Sequence, residues 1–242
     1  MPAPVARVTA GNPAAPHTPA ARPDDYLGRS VDSYLVPTPV GEARVLVDRA
    51  REPVTTVVLG HGARGGPASP DLLALAHTLP SRGLTVVRVE QPWHVEGRRV
   101  ASTPARLDTA WRAVIAALER DLKANPLVLG GRSAGARVAC RTGLDLGAVG
   151  VVALAFPLHP PGRPERSRLA ELRAAGLPTL VLQGERDAFG RPEEFPSDID
   201  VHIVPDADHS FAITKSAGRS RKDLLAGLAT AVGDWILARL DQ

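Results

Sequence analysis

The run Leu127-Val128-Leu129-Gly130-Gly131-Arg132-Ser133-Ala134-Gly135 sets a G-x-S-x-G pattern between an apolar stretch and a helix-prone run from Ala134 to Cys140. A sharp strand-to-helix turn leaves no room for side chains beside the serine, which gives both flanking glycines a steric reason. The helix that starts there would aim its free N–H groups at a developing anion. Such a serine could act as a nucleophile in acyl transfer, but its hydroxyl is weak at neutral pH and needs a base. Without one, the pattern is only a Gly-Ser turn.

A base and an acid follow in the chain. Leu180-Val181-Leu182-Gln183-Gly184-Glu185-Arg186-Asp187 reads as a buried strand running into a turn that ends on Asp187. After a further strand, Pro205-Asp206-Ala207-Asp208-His209 puts a histidine in a polar loop. The order Ser133, Asp187, His209 is the one a strand-turn-helix serine site requires. His209 would take the proton of Ser133 and return it to the leaving group, while Asp187 would hold the ring in the useful tautomer. Asp206 and Asp208 sit so close to His209 that they are expected to shape its loop. His17, His61, His77, His94, His159 and His202 lack a comparable setting for the base.

The segment Gly60-His61-Gly62-Ala63-Arg64-Gly65 has two readings. It formally matches the G-x-G-x-x-G of dinucleotide-binding folds. In those folds the helix begins within the motif, whereas Gly66, Pro67 and Pro70 delay it here to about Asp71. In the serine-site reading the loop contributes one oxyanion-hole N–H, at Ala63 or a neighbour, and Ala134 contributes the other. His61 would then be structural.

These loops need a scaffold. From about residue 31 short β-branched runs alternate with helical patterns, the signature of a mostly parallel sheet covered by helices on both faces. Ser33–Val36 and Ala43–Val47 read as an opening antiparallel hairpin. Val54–Leu59, Leu84–Val89, Leu127–Leu129, Val149–Ala155, Thr179–Gln183 and Val201–Val204 read as further strands, and Asp71–Leu79 as a short helix. Arg106–Leu122 carries Leu107, Trp111, Val114, Ile115, Leu118 and Leu122 on one helical face. Leu225, Leu228, Val232, Trp235, Ile236 and Leu240 have the same spacing in a closing helix.

Composition excludes several classes. A formal net charge of +3 spread over 242 residues, with basic residues interleaved among acids, gives no dense patch for nucleic acid. Cys140, alone in the sequence, can form neither an internal disulfide nor a Cys-rich zinc site. The serine-site reading calls for neither metal nor cofactor, and none is expected. A reducing, cytoplasmic setting fits. Six Pro and seven Ala in the first 23 residues, without a continuous apolar run, argue against a secretory segment and for a disordered tail over 1–26. No run approaches the length of a membrane span, and a single domain is expected over 27–242.

Taken together, Leu59-Gly60-His61-Gly62-Ala63, Gly130-Gly131-Arg132-Ser133-Ala134-Gly135-Ala136-Arg137, Phe156-Pro157-Leu158-His159-Pro160-Pro161-Gly162, Leu182-Gln183-Gly184-Glu185-Arg186-Asp187 and Asp208-His209 resemble an α/β-hydrolase-like family. That family includes a testis-expressed protein and a nonspecific-lethal-complex subunit, and is broadly similar to dienelactone-hydrolase-like enzymes. The resemblance covers roughly residues 31 to 240. It implies an α/β-hydrolase fold and an ester- or thioester-cleaving triad of Ser133, Asp187 and His209 acting on a small molecule. Because some members are described chiefly as parts of a chromatin complex, a non-catalytic interaction protein on the same fold is the alternative. The short stretch Phe156–Arg168 leaves little room for a lid. Arg64, Trp93, Arg132 and His159 are the candidate substrate contacts, and Arg98, Arg99, Arg137 and Arg163 could join Arg64 and Arg132 in a patch for carboxylate or phosphate. The oligomeric state is left open.

Overall fold

A computed structural model describes residues 31–121 and 125–240; the expected tail over 1–26 and the helix position Leu122 lie outside them. In chain order the elements are β1 (Asp32–Thr38), β2 (Gly41–Asp48), β3 (Thr55–Gly60), α1 (Pro70–Thr78), β4 (Leu84–Glu90), α2 (Pro92–Val95), α3 (Pro104–Asp121) and β5 (Leu127–Arg132). They continue with α4 (Ala134–Thr142), β6 (Gly150–Leu154), α5 (Leu169–Arg173), β7 (Thr179–Gly184), β8 (Asp200–Val204) and α6 (Arg221–Leu240).

The strands form one sheet in the order β1-β2-β4-β3-β5-β6-β7-β8. β2 runs antiparallel to both its neighbours, and every pairing from β4 to β8 is parallel. β3, β4 and β6 are buried along their whole length, and their Val- and Leu-rich centres suit strands covered on both faces. Successive residues alternate between two cores. Val58, Val87, Leu129 and Val151 face α3 and α4, while Val57, Val86, Val128 and Val152 face α1 and α6. The expected last strand is the exception to burial: β8 is the sheet edge, and Ile203 is 52% exposed.

Strand order also places the site. The chain leaves β3 for β4 on one side, yet leaves β5 for β6 on the other, so the loops after β3 and β5 diverge. A crevice opens at such a switch point, beyond the carboxyl ends of the strands. The two loops are Gly60–Ala63 and the turn at Ser133. They are held together by a backbone contact that excludes side chains: a Cβ on Gly135 would lie 2.9 Å from Gly60 Cα and closer still to its carbonyl. The segment between β6 and α5 forms no separate cap. No helix among the described residues is long and apolar enough to cross a membrane.

Two glycine-to-alanine substitutions should therefore differ in sign. Gly135→Ala must push α4 off β3 and is expected to cost about 1–3 kcal/mol in urea unfolding. Gly227→Ala, in open space on α6, should stabilise by about 0.5–1 kcal/mol. Equal midpoints for the two variants would contradict this packing.

Candidate active site

Ser133 sits between the last residue of β5 and the first of α4 with φ 52° and ψ −106°, a conformation that costs a non-glycine residue about 1–3 kcal/mol. It persists because both sides of the turn are tied down. The Ser133 N–H donates to Leu154 O on β6 (2.9 Å), and its carbonyl accepts from the Arg137 N–H (3.1 Å). The result is an Oγ that stands clear of the backbone and 3.1 Å from His209 Nε2.

His209 Nδ1 lies 2.8 Å from Asp187 Oδ2, so a ring that donates from Nδ1 accepts the Ser133 hydroxyl at Nε2. Asp187 is fully buried. An isolated carboxylate there would be costly, and neighbouring N–H groups offset the loss of water. Gln183 Nε2 donates to Oδ2 (2.9 Å) and the Phe189 N–H to Oδ1 (2.8 Å). The Phe189 ring then stacks on His209 with centroids 4.1 Å apart. Gln183, also buried, points the same amide at Phe156 O (3.2 Å) and Gly190 O (2.7 Å), drawing the turns after β6 and β7 together.

Asp208 shapes the histidine loop. Its Oδ1 accepts from the Ser210 N–H, the Ser210 hydroxyl and the Ala212 N–H at 2.8–2.9 Å. Burial alone would raise its pKa, but these donors outweigh that and hold it below the ordinary aspartate range. Asp206 braces the neighbouring turn through its N–H to Glu185 Oε2 (2.8 Å).

On the other side of Ser133, the loop Gly60–Ala63 is pinned by His61. Its Nδ1–H donates to Gly62 O (2.9 Å), and Nε2 accepts from the Gln91 N–H (3.1 Å) at the end of β4. Only a neutral ring can do both. Desolvation by burial dominates and lowers its pKa to about 4. A Cβ on Gly62 would come 3.5 Å from Ser133 Cβ, so this loop runs directly beside the turn. Ala63 and Ala134 share the wall of a small cavity behind it.

The cleft above Ser133 has a volume of about 1380 Å³ and takes in Ala63, Arg64, His94, Arg132, Phe189 and His209. Four sequence assignments to substrate fare differently. Arg64 is exposed on the cleft wall. Arg132 reaches the wall too, but its guanidinium is occupied: Nη2 donates to the His209 carbonyl (2.6 Å) and Nε pairs with buried Asp71 Oδ2 (3.0 Å). Burial raises the Asp71 pKa, and Arg132 opposes that rise. Trp93 is only 4% exposed and lines the small cavity behind the loop, because α2 turns its ring inward against His61. His159 is buried away from the cleft, with Nδ1 at Pro160 O and Nε2 at Glu194 Oε2, both 2.8 Å. The Pro160 carbonyl and the Glu194 carboxylate together hold its pKa above the ordinary value. It is a pin between two loops. Arg98 and Arg137 are paired with Glu96 and Glu171, each at 2.7 Å, and like Arg99 and Arg163 do not line the cleft.

Gln183, Asp71, Phe189 and Gln91 were given no role by the sequence reading. Gln183 had a signal that could have found it: a lone amide inside an apolar strand needs buried partners. Among the described residues no cluster of three or more His, Cys, Asp or Glu could hold a metal ion.

The family described as the alpha/beta hydrolase domain matches residues 53–237. The chain belongs to that family. Solved structures agree on the α/β-hydrolase fold. An α/β serine hydrolase homologue from Coxiella burnetii is 18% identical over 85% of this chain and 97% of its own, with a TM-score of 0.68. A serine hydrolase described as lidless, from Xanthomonas campestris, is 22% identical over 85% and 94%, at 0.63. A dienelactone hydrolase from Anabaena variabilis is 17% identical over 86% and 97%, at 0.66. The α/β-hydrolase fold implied by the motifs is thus met, and the dienelactone hydrolase shares that fold.

His61 makes this α/β-hydrolase domain acid-sensitive in a defined way. Its folded-state pKa lies below that of an unfolded histidine, so the unfolded chain binds the extra proton between about pH 6.5 and 4. The stability it supports is whole above about pH 6.5 and falls as pH drops through 4, by about 3 kcal/mol in all. Urea unfolding of wild type and His61→Gln across this window should show a flatter pH dependence for the variant. Parallel curves would refute the neutral buried imidazole.

Proposed function

We propose that this α/β-hydrolase domain is a serine hydrolase that cleaves an ester, thioester or related acyl bond of a small molecule. One observation carries the reading: Asp187, His209 and Ser133 form an unbroken hydrogen-bonded relay that ends on a hydroxyl held in a strained backbone conformation.

As the Ser133 Oγ–C bond forms at the substrate carbonyl, the hydroxyl proton passes to His209 Nε2, and Asp187 stabilises the imidazolium through Nδ1–H. The carbonyl oxygen becomes an anion between the N–H groups of Ala63 and Ala134. Each such donor contributes about 3–4 kcal/mol to the transition state. Collapse of the tetrahedral intermediate breaks the bond to the leaving group, which takes the proton from His209. Water, deprotonated by His209, then attacks acyl-Ser133, and as the Oγ–C bond breaks His209 returns that proton to Ser133 Oγ and the carboxylic acid is released.

Arg132 links the serine turn to the carbonyl of the base, and Phe189 covers one face of the imidazole. We also assign the protein to the cytoplasm; Cys140 is a buried free thiol whose pKa burial pushes up to about 12, so it takes no part in the chemistry.

A fluorophosphonate probe should label Ser133 in wild type and fail to label Ser133→Ala. Asp187→Asn should keep the fold and lower kcat on a short-chain ester by about three to four orders of magnitude. A folded wild type that takes no label and turns over no ester or thioester would favour the non-catalytic alternative instead.

A further inference from the structure

The cleft over Ser133 is lined by five arginines, Arg44, Arg64, Arg132, Arg186 and Arg221, against three carboxylates, Asp71, Glu90 and Asp208. The carboxylates are already engaged. Glu90 binds Arg44 through one oxygen (2.8 Å) and His94 through the other (2.6 Å). Asp71 pairs with Arg132, and Asp208 is turned into its own loop by Ser210 and Ala212. Longer-range attraction still reaches Asp71 from Arg221 and Asp208 from Arg186.

Three guanidiniums are left without an ion pair among the described residues. Arg64 follows Ala63 in the loop after β3 and makes no hydrogen bond there. Arg186 donates from Nε to the Asp206 carbonyl (2.9 Å), and Arg221 donates from Nε and Nη2 to the carbonyls of Phe211 and Ser210 (3.2 and 2.6 Å). Carbonyls orient a guanidinium without cancelling its charge, and each planar fork of N–H donors keeps members free for a ligand. One cation stands on the loop that carries Ala63, and two bracket the loop that carries His209. A walled cleft that concentrates one sign of charge draws in the opposite sign.

We infer that the substrate hydrolysed at Ser133 is an anion, bearing a carboxylate or phosphate group set apart from the scissile carbonyl and read by Arg64, Arg186 and Arg221. This rests on the hydrolase reading for turnover, but not for binding. Both candidate groups match the guanidinium fork.

The test compares p-nitrophenyl butyrate with two anionic counterparts, mono-p-nitrophenyl glutarate and the p-nitrophenyl ester of 4-phosphonobutyrate, on the full chain. The anionic esters should exceed the neutral one in kcat/KM by about tenfold at low ionic strength, and the advantage should shrink in about 0.5 M salt. The better of the two identifies the anion. In Arg64→Ala, Arg186→Ala and the double variant, the ratio of anionic to neutral kcat/KM should fall towards one. A role confined to folding would lower both rates and leave the ratio alone. Separately, glutarate or inorganic phosphate should raise the Tm of wild type saturably and that of the double variant much less. Equal rates on all three esters, an unaltered ratio in the variants, or no stabilisation by either anion would overturn the inference. If no ester or thioester is turned over and no fluorophosphonate labels Ser133 while Arg64-dependent stabilisation persists, the hydrolase reading fails and the anion site stands.

Discussion

The start of α4 rests on the end of β3, glycine against glycine, and the geometry of the cleft depends on that approach. Gly135 lies against Gly60 where no Cβ fits, and Gly131, with φ 153°, faces the same residue. Closing this gap puts the loop after β3 beside the loop after β5, so that Ala63 and Ala134 come to one cavity wall. It also bends the chain so sharply at Ser133 that a non-glycine residue is held at positive φ. Strain of this kind persists only where the surroundings over-determine it, and the hydrogen bonds to Leu154 and Arg137 do so.

Around that contact, the polar groups divide into those that hold loops and those that face the cleft. His61 is kept neutral by burial and spans from Gly62 to Gln91. Arg132 lies between buried Asp71 and the His209 carbonyl, so one ion pair couples the N-terminus of α1, the serine turn and the histidine loop. Gln183 does similar work for Asp187 from inside β7. Buried ionic and amide groups of this sort contribute less to net stability than to fixing one arrangement among several. The relay from Asp187 to Ser133 is therefore braced by groups whose polar atoms are already engaged with the protein.

Much of this was legible in the sequence because it depends on local pattern. The Val- and Leu-rich runs of β3, β4 and β6 declared buried parallel strands, the prolines after Gly66 delayed α1, and the chain order of Ser133, Asp187 and His209 fitted one scaffold. What was not legible depends on partners distant in sequence. An arginine next to Ser133 could point at a ligand or at a carboxylate, and only the fold brings Asp71 to Arg132. His159 and Trp93 were misplaced for the same reason: Glu194 and His61, the groups that hold them, come from other loops. That β8 would be the sheet edge was not legible either, since an edge strand and an inner strand can share the same residues.

The central claim is that Ser133 forms a covalent acyl intermediate, and intact-protein mass spectrometry during turnover of a slow-leaving ester tests it most directly. Acid quenching in the steady state should reveal a mass increase equal to the acyl group, located by peptide mapping to Ser133 and absent from Ser133→Ala. An ester hydrolysed by wild type with no adduct, or with the adduct on another residue, would contradict the account.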